Sequence, residues 1–519
     1  MKINMHNKEV EWLPKLAWVA FHDLGSDMLT VYNGSAVEYG KDWIVEGVWD
    51  DDFRQAGFHK SEIFFGSGIR VDGEAIHFVP SKALVDRIIY CINGKRLMVS
   101  NSLIALMAFT GARPDPGHDY RTESFAILEG IKKYKREFPV VHPETGCFYQ
   151  LFYHNMTVIN GAISFSDPGK PRRINSFDEY YDLMIKALER IRLNYESDGR
   201  KNAVSPFTTM SSGYDSTAVS CLVKKIGVTR CFTSRKSNSI LPARISPRIA
   251  IDDGSPVAAA LGYEAQYMDN NNMSEDELYF LGASCAGPET VFYSLAGLIQ
   301  SGCQAGLVFT GYHGDVIWDL KLKPGESGDD IIRGDTSGFN LSEIRLKSGF
   351  IHVAVPFMYV RSIRDILNIS LSEEMKPWRL YNDYDRPIAR RILESSGVAR
   401  NLFGFRKKGV TRYYNYPGNI KLRKQFLEFL EREFRMRPFA VYAYTFLVNY
   451  PVLILMGVLY NIGLGKMIDK NRRPGLGLSR RMFIWAADLL AEVTAGKLNR
   501  ESSSDTVRQP SRLPLSRPV

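Results

Sequence analysis

Between residues 200 and 310 this 519-residue chain alternates short apolar runs with helical stretches, and few architectures accommodate that order. Residues 203–210, 229–234, 265–268 and 306–310 read as strands. Residues 216–226, 256–261 and 291–301 read as the helices between them. Strands separated by helices do not form hairpins; they pair in parallel, with the helices covering the faces of the sheet. The expected fold class here is α/β with a parallel sheet, and ligands are expected at the carboxyl ends of its strands.

The flanking regions differ. Residues 1–170 are expected to be β-rich, because runs at 16–21, 62–65, 75–79, 97–100 and 147–152 are separated by Gly, Asp and Asn turns. A helical stretch at 124–134 interrupts them. Residues 164–175 contain Pro168, Gly169 and Pro171 and read as a linker. After it, Phe177, Tyr180, Leu183, Met184, Ala187, Leu188 and Ile191 share one helical face. Residues 350–498 read as mostly helical, and the Ser-, Arg- and Pro-rich end as a disordered tail. The expected domains are 1–170, 171–498 and a tail of 499–519.

Composition limits the function classes. At 45% hydrophobic and 24% charged residues, no fibrous or disordered class is needed. A net charge of +9 suits an anionic substrate or a nucleotide. Cys91, Cys147, Cys221, Cys231, Cys285 and Cys303 form no CxxC pair, which argues against a zinc knuckle and fits a reducing, cytoplasmic setting. Residues 1–10 are polar and lack a signal-peptide core. The uncharged stretch 438–465 is long enough to cross a membrane. Asn449, Pro451 and Asn461 interrupt it, so it is expected to be a buried helix pair, with no membrane partner.

The strand 203–210 ends in Ser211-Ser212-Gly213-Tyr214-Asp215-Ser216-Thr217, directly before a helix. Small residues there let backbone N–H groups face an anion, and the helix N-terminus adds partial positive charge. Asp215 beside a phosphate makes sense if it holds a bridging magnesium ion. A plain Ser- or Asp-capped helix start would read the same way locally. The pattern Ser-x-Gly-x-Asp-Ser-Thr resembles the pyrophosphate loop (PP-loop) of the N-type ATP pyrophosphatases, among them asparagine synthetase and β-lactam synthetase. Ser212 stands where that family commonly has Gly. A Walker A pattern is absent.

A second motif, Gly311-Tyr312-His313-Gly314-Asp315, follows the strand 306–310. Asp315 matches the metal-binding Asp of the asparagine synthetases, while Val316 replaces the Glu after it. Tyr312, three residues before the Asp, resembles β-lactam and carbapenam synthetases, where the tyrosine is half of a catalytic Tyr–Glu dyad. Glu343 is the residue expected to complete it. A phenol is a weak base alone, and a neighbouring carboxylate can take its proton. Structural roles for Tyr312, as a core aromatic, and Glu343, as a helix-start residue, stay open. Phe405-Arg406-Lys407-Lys408-Gly409 resembles the family's Arg-x-Lys-x-Gly segment, with Lys407 at the position of the charge-stabilising lysine and Lys408 as the second choice. Asp252-Asp253-Gly254, the Ala-rich stretch 257–262, Phe65-Gly66-Ser67-Gly68-Ile69-Arg70 and Val99-Ser100-Asn101-Ser102 extend the resemblance.

The resemblance implies an α/β synthetase domain of PP-loop, adenine nucleotide alpha-hydrolase-like type, behind an N-terminal β-rich Ntn-hydrolase-like αββα domain. It implies ATP and Mg2+ as cofactors, with ATP held by Ser211, Ser212, Gly213, Asp215, Ser216 and Gly311, metal by Asp215 and Asp315, and catalysis by Tyr312, Glu343 and Lys407. Glutaminases of this family start Met-Cys, whereas this chain starts Met1-Lys2, so no nucleophile stands at position 2. The expected reaction is adenylation of a small-molecule or peptide carboxylate, followed by attack of a substrate amine to give an amide or lactam. An asparagine synthetase-type enzyme using free or partner-supplied ammonia, an RNA-adenylating enzyme and an inactive scaffold are the alternatives. No nucleic-acid partner is expected, and a homodimer is allowed.

Overall fold

The computed structural model describes residues 2–504 except 143, 168, 170, 236–251, 269–273, 288, 290, 291, 293–296, 298, 300–304, 321–329, 383, 405–414 and 462–475. Three sheets organise them. A seven-stranded sheet runs, in spatial order, Asn4–Glu9, Met28–Asn33, Trp18–Asp23, Arg96–Ser100, Ile88–Asn93, Cys147–Leu151 and Glu137–Pro139. A six-stranded sheet runs Ala162–Ser166, Asn155–Ile159, Ala75–Val79, Phe64–Asp72, Trp43–Trp49 and Glu38–Tyr39. The two pack face to face. Trp18, Val31, Tyr90 and Val99 from the first meet Ile44, Ile69, Phe78 and Met156 from the second in one buried cluster. Alternating inward positions build such a core because strand side chains point to opposite faces.

The third sheet is wholly parallel: Glu264–Tyr267, Arg230–Thr233, Val204–Thr209, Ala305–Thr310 and Phe350–Ala354. In chain order its strands lie 3-2-1-4-5, so the winding direction reverses between Val204–Thr209 and Ala305–Thr310. That reversal opens a crevice at the carboxyl ends of these two neighbours.

Several sequence expectations need correction. The linker begins later than 164, because Ala162–Ser166 pairs antiparallel with Asn155–Ile159. The polar start forms an edge strand, Asn4–Glu9, parallel to Met28–Asn33. The stretch at 124–134 is helical only through the pieces Arg121–Phe125 and Ala126–Glu129, ended by Gly130 at φ +98°. Phe350–Ala354, placed in a helical region, is the fifth parallel strand. Most of the helix expected at 291–301 lies outside the described residues.

The C-terminal end also differs. Helix Leu478–Ser504 continues past 498 and packs against Leu103–Thr110, with Met482, Phe483, Ala486 and Leu490 in the cluster that holds Leu103, Leu106 and Met107. The last helix thus packs on the N-terminal sandwich. Residues 505–519 lie outside the described set. The stretch expected as a buried helix pair is one helical run: Pro438–Ala443, a π-helical turn Tyr444–Asn449, and Tyr450–Asn461. Pro451 lacks an N–H and clashes with the carbonyl four residues back. The wider π turn just before it absorbs that conflict without a break. The run is mostly exposed, as Leu447 at 76% shows.

Candidate functional site

The strand Val204–Thr209 feeds a turn at 211–214 and then helix Asp215–Lys224. The turn is held by its own small side chains. Ser211 Oγ and Ser216 Oγ lie 2.8 Å apart, the Ser211 N–H donates to Ser216 Oγ, and the Gly213 N–H donates to Ser211 Oγ. Thr217 Oγ1 donates to the carbonyls of Ser211 and Gly213. Ser212 donates through both its N–H (3.1 Å) and its hydroxyl (2.9 Å) to Asp252 Oδ1. Asp252, the first of the acidic pair noted in the sequence, thus lies against the turn. Gly254 makes this approach possible, since a Cβ there would come within 2.8 Å of the Met210 carbonyl.

Two glycines bring the second motif onto the first. A Cβ on Gly311 would lie 2.3 Å from the Ser216 nitrogen and 2.4 Å from the Asp215 carbonyl carbon. Backbone cannot give way there, so only glycine fits. A Cβ on Gly314 would lie 2.5 Å from Asp215 Cγ. The Asp215 carboxyl group therefore lies across the residue preceding Asp315. Arg386, 1% exposed, donates to Asp215 Oδ2 and lies 4.0 Å from Asp319. Its pKa is raised: burial works against the charged form, but Asp215, Tyr384 and Asp315 outweigh it. Both motif aspartates thus act on one guanidinium. Arg386 has a pre-set entry, because Pro387 begins the helix Pro387–Ser395 right after it.

Magnesium fits this donor set. It binds through one or two carboxylates and takes its remaining ligands from phosphates and water. Asp215 and Asp315 supply that number. Among the described residues no group of three or more His, Cys, Asp or Glu side chains could enclose a metal without such help.

Tyr312 and Glu343 are not brought together. The Tyr312 hydroxyl donates to Glu289 Oε1 at 2.8 Å, and the Gly338 N–H donates to Glu289 Oε2 at 2.8 Å. Glu343 instead accepts from Ser102 Oγ (2.7 Å) and from the Leu103 N–H (2.8 Å), at the start of helix Leu103–Thr110. The reason is helical phase. Leu341 and Ile344 pack in the cluster that touches Tyr312, while Glu343 sits about 200° around the helix from Leu341. Two residues on, buried Arg345 donates to Glu46 and Asp86. Helix Leu341–Ser348 is thus a latch to the sandwich.

Burial sets the chemistry around Tyr312. Glu289 is 1% exposed, and desolvation pushes its carboxyl up to about 8 despite the Tyr312 and Gly338 hydrogen bonds. Tyr312 is pushed well above its ordinary value by desolvation and by Glu289. Arg333 donates to Leu84 O, Asp335 O and Ser337 O and stacks on Phe339, which fixes the loop that presents the Gly338 N–H. His352 lies edge-on to Tyr312 at 4.8 Å and shares a 2.7 Å hydrogen bond with Thr310. Burial pushes His352 down to about 4, so it is neutral near pH 7. His313 is left-handed at φ +65°, buried, and bonded to the Ala83 backbone.

Of the sequence-expected residues, Ser211, Ser212, Gly213, Asp215, Ser216 and Gly311 meet at the strand ends, Asp315 acts with Asp215 on Arg386, and Tyr312 turns its hydroxyl to Glu289. Glu343 belongs to the latch, and Lys407 with Lys408 lies outside the described residues. Sequence reasoning missed Glu289 and Arg386. Around Glu289 the only local signal was Gly287-Pro288, which marks a loop and no chemistry. No protein family matches this chain, and no curated protein matches it, so its resemblance to the N-type ATP pyrophosphatases rests on the order and placement of the residues described above.

Proposed function

We propose that this chain is an ATP-dependent, AMP-forming carbon–nitrogen ligase of asparagine synthetase-like kind. A substrate carboxylate oxygen attacks the α-phosphorus of ATP. The bond to the β-phosphate oxygen breaks, and pyrophosphate leaves. The turn at 211–216 and the start of helix Asp215–Lys224 would receive the phosphates, because a helix N-terminus favours anions. Magnesium, held by Asp215 and Asp315, would supply neutralisation of phosphate charge. Arg386 donates to Asp215 Oδ2 and fixes that carboxyl group in place.

In the second half-reaction a substrate amine attacks the acyl carbon and AMP leaves. The amine proton passes to Tyr312 as the Tyr312 proton moves to ionised Glu289. Each partner alone is mismatched to the task; together they form a relay. If carboxylate and amine belong to one molecule, the product is a lactam. Lys407, which lies outside the described residues, would be the residue that stabilises negative charge at the acyl centre.

The observation that carries the reading is the meeting of Asp215 with the Gly311–Asp315 motif at the reversal point of a parallel sheet. The test is Mg2+-dependent binding of α,β-methylene-ATP, with chromatography of the nucleotide products formed from ATP. AMP and pyrophosphate are expected, with affinity falling at least about tenfold in Asp315→Asn, as loss of one of two charged metal ligands implies. Release of ADP and phosphate, or full Mg2+-dependent binding in Asp315→Asn, would sink the reading.

A further inference from the structure

The helical run from Pro438 to Asn461 is built unlike the helix that precedes it. Charged residues cover the outer face of Ile420–Phe434, just before it. The run itself carries no charged residue, and neither does the sequence through residue 465. Among its described side chains Val441, Thr445 and Leu453 are buried, and Val441 joins the core cluster beside helix Leu478–Ser504. Phe439, Phe446, Leu447, Tyr450, Ile454, Leu455 and Val458 are 43–80% exposed. Of the window 438–455, which is long and apolar enough to cross a bilayer, 17% is buried. A soluble monomer seldom leaves so continuous an apolar face in water.

Charge at the ends says what covers it. Arg435 and Arg437 are exposed ahead of the run, while Arg432 before them is paired with Glu433 at 2.7 Å. Arg481 reaches the same end, 3.6 Å from Met436 and 4.4 Å from the Phe434 ring. Beyond the run the sequence places Lys466, Lys470, Arg472 and Arg473 against the single acid Asp469. A second copy of the chain would need a patch with a complementary polar rim, and this face presents apolar residues with basic ends. An anionic bilayer matches both features: acyl chains for the face and acidic headgroups for the ends.

We propose that residues 438–461 dock the protein on an anionic membrane surface. The helix lies in the interface and does not cross it, because Val441 and Thr445 stay packed on the protein. The active site at the parallel sheet does not depend on this contact, so the inference stands apart from the ligase reading.

The test is flotation of the full chain with vesicles of phosphatidylcholine, with and without phosphatidylglycerol. Binding is expected to the mixed vesicles and to weaken with added salt. Leu447→Glu with Ile454→Glu should lower it about tenfold or more, since each places a charge where acyl chains are expected. Both positions are exposed, so the melting temperature should hold, which a thermal scan checks. Arg435→Glu with Arg437→Glu should lower binding to the mixed vesicles alone. No binding to either vesicle overturns the proposal. So does binding that Leu447→Glu with Ile454→Glu leaves unchanged, or a concentration-dependent dimer that this pair dissolves.

Discussion

Two buried glutamates, Glu289 and Glu343, sit in different surroundings. Glu289 and Glu343 are both desolvated, and burial pushes both carboxyls up. Glu289 accepts from a phenol, Tyr312, whose own proton can move. Glu343 accepts from Ser102 and the Leu103 backbone, groups that do not titrate near neutral pH, and it closes a helix end in another part of the chain. Burial alone therefore does not mark a catalytic carboxylate. The two carboxyls differ instead in the chemistry of their hydrogen-bond donors.

The sharpest separation comes from Glu289→Gln. The amide keeps the shape and can still accept from Tyr312, but it cannot take a proton. Amide formation should fall by about a hundredfold to ten-thousandfold, the usual range for a lost acid–base group. AMP and pyrophosphate formation from ATP should persist, because Asp215 and Asp315 are untouched. In the unchanged protein the amide-forming rate should rise as pH passes about 8, where Glu289 ionises, and the substitution should flatten that limb. Stability gives an independent reading. Because the folded pKa lies above the ordinary 4.5, the folded state holds a proton that the unfolded state loses first. The contribution is whole below that ordinary value and is lost as pH rises toward about 8. A denaturation series across that window should show the slope, and the Gln variant should reduce it. Equal loss of both half-reactions in Glu289→Gln would dissolve the comparison.

Glu343→Ala should show the reverse pattern. Two hydrogen bonds to a carboxylate disappear, and the Leu103 N–H is left buried, so unfolding should become easier by about 2–3 kcal/mol. Denaturant unfolding measures it. The pH limb near 8 should remain. If instead the limb vanished, Glu343 would regain the role that its sequence position suggested.

Why the sequence pointed to Glu343 and not to Glu289 as the partner of Tyr312 is a matter of what sequence distance encodes. The turn at 211–216 and the segment 311–315 were legible because each is a continuous stretch whose residues act together, and a strand end followed by a helix fixes their geometry. The parallel sheet was legible through alternation. Phe350–Ala354 was not, because a short strand buried at every position has no polar alternation to reveal it. Glu289 comes from a loop, and its partner lies across the fold, so no spacing could pair them. At 438–461, Pro451 and two asparagines suggested a broken, buried pair. The π turn keeps the helix continuous, and whether a helix face is covered depends on neighbours that hydropathy does not name.

The smallest expected effect tests whether the latch acts as one unit. Ser102 Oγ donates to Glu343 and also accepts from the Ala105 N–H as the cap of helix Leu103–Thr110. Ser102→Ala should cost about 1 kcal/mol, the common worth of such a cap, with both half-reactions intact. Combined with Glu343→Ala the losses should not add, because Glu343→Ala has already removed one of the two bonds Ser102 makes. A coupling of about 0.5 kcal/mol or more in a double-mutant cycle is expected for groups in direct contact. Strict additivity would mean that Ser102 acts only as a local helix cap, and Glu343 would then grip the sandwich through the Leu103 N–H alone. The contrast with Glu289 would survive that result, since neither donor at Glu343 would carry a mobile proton.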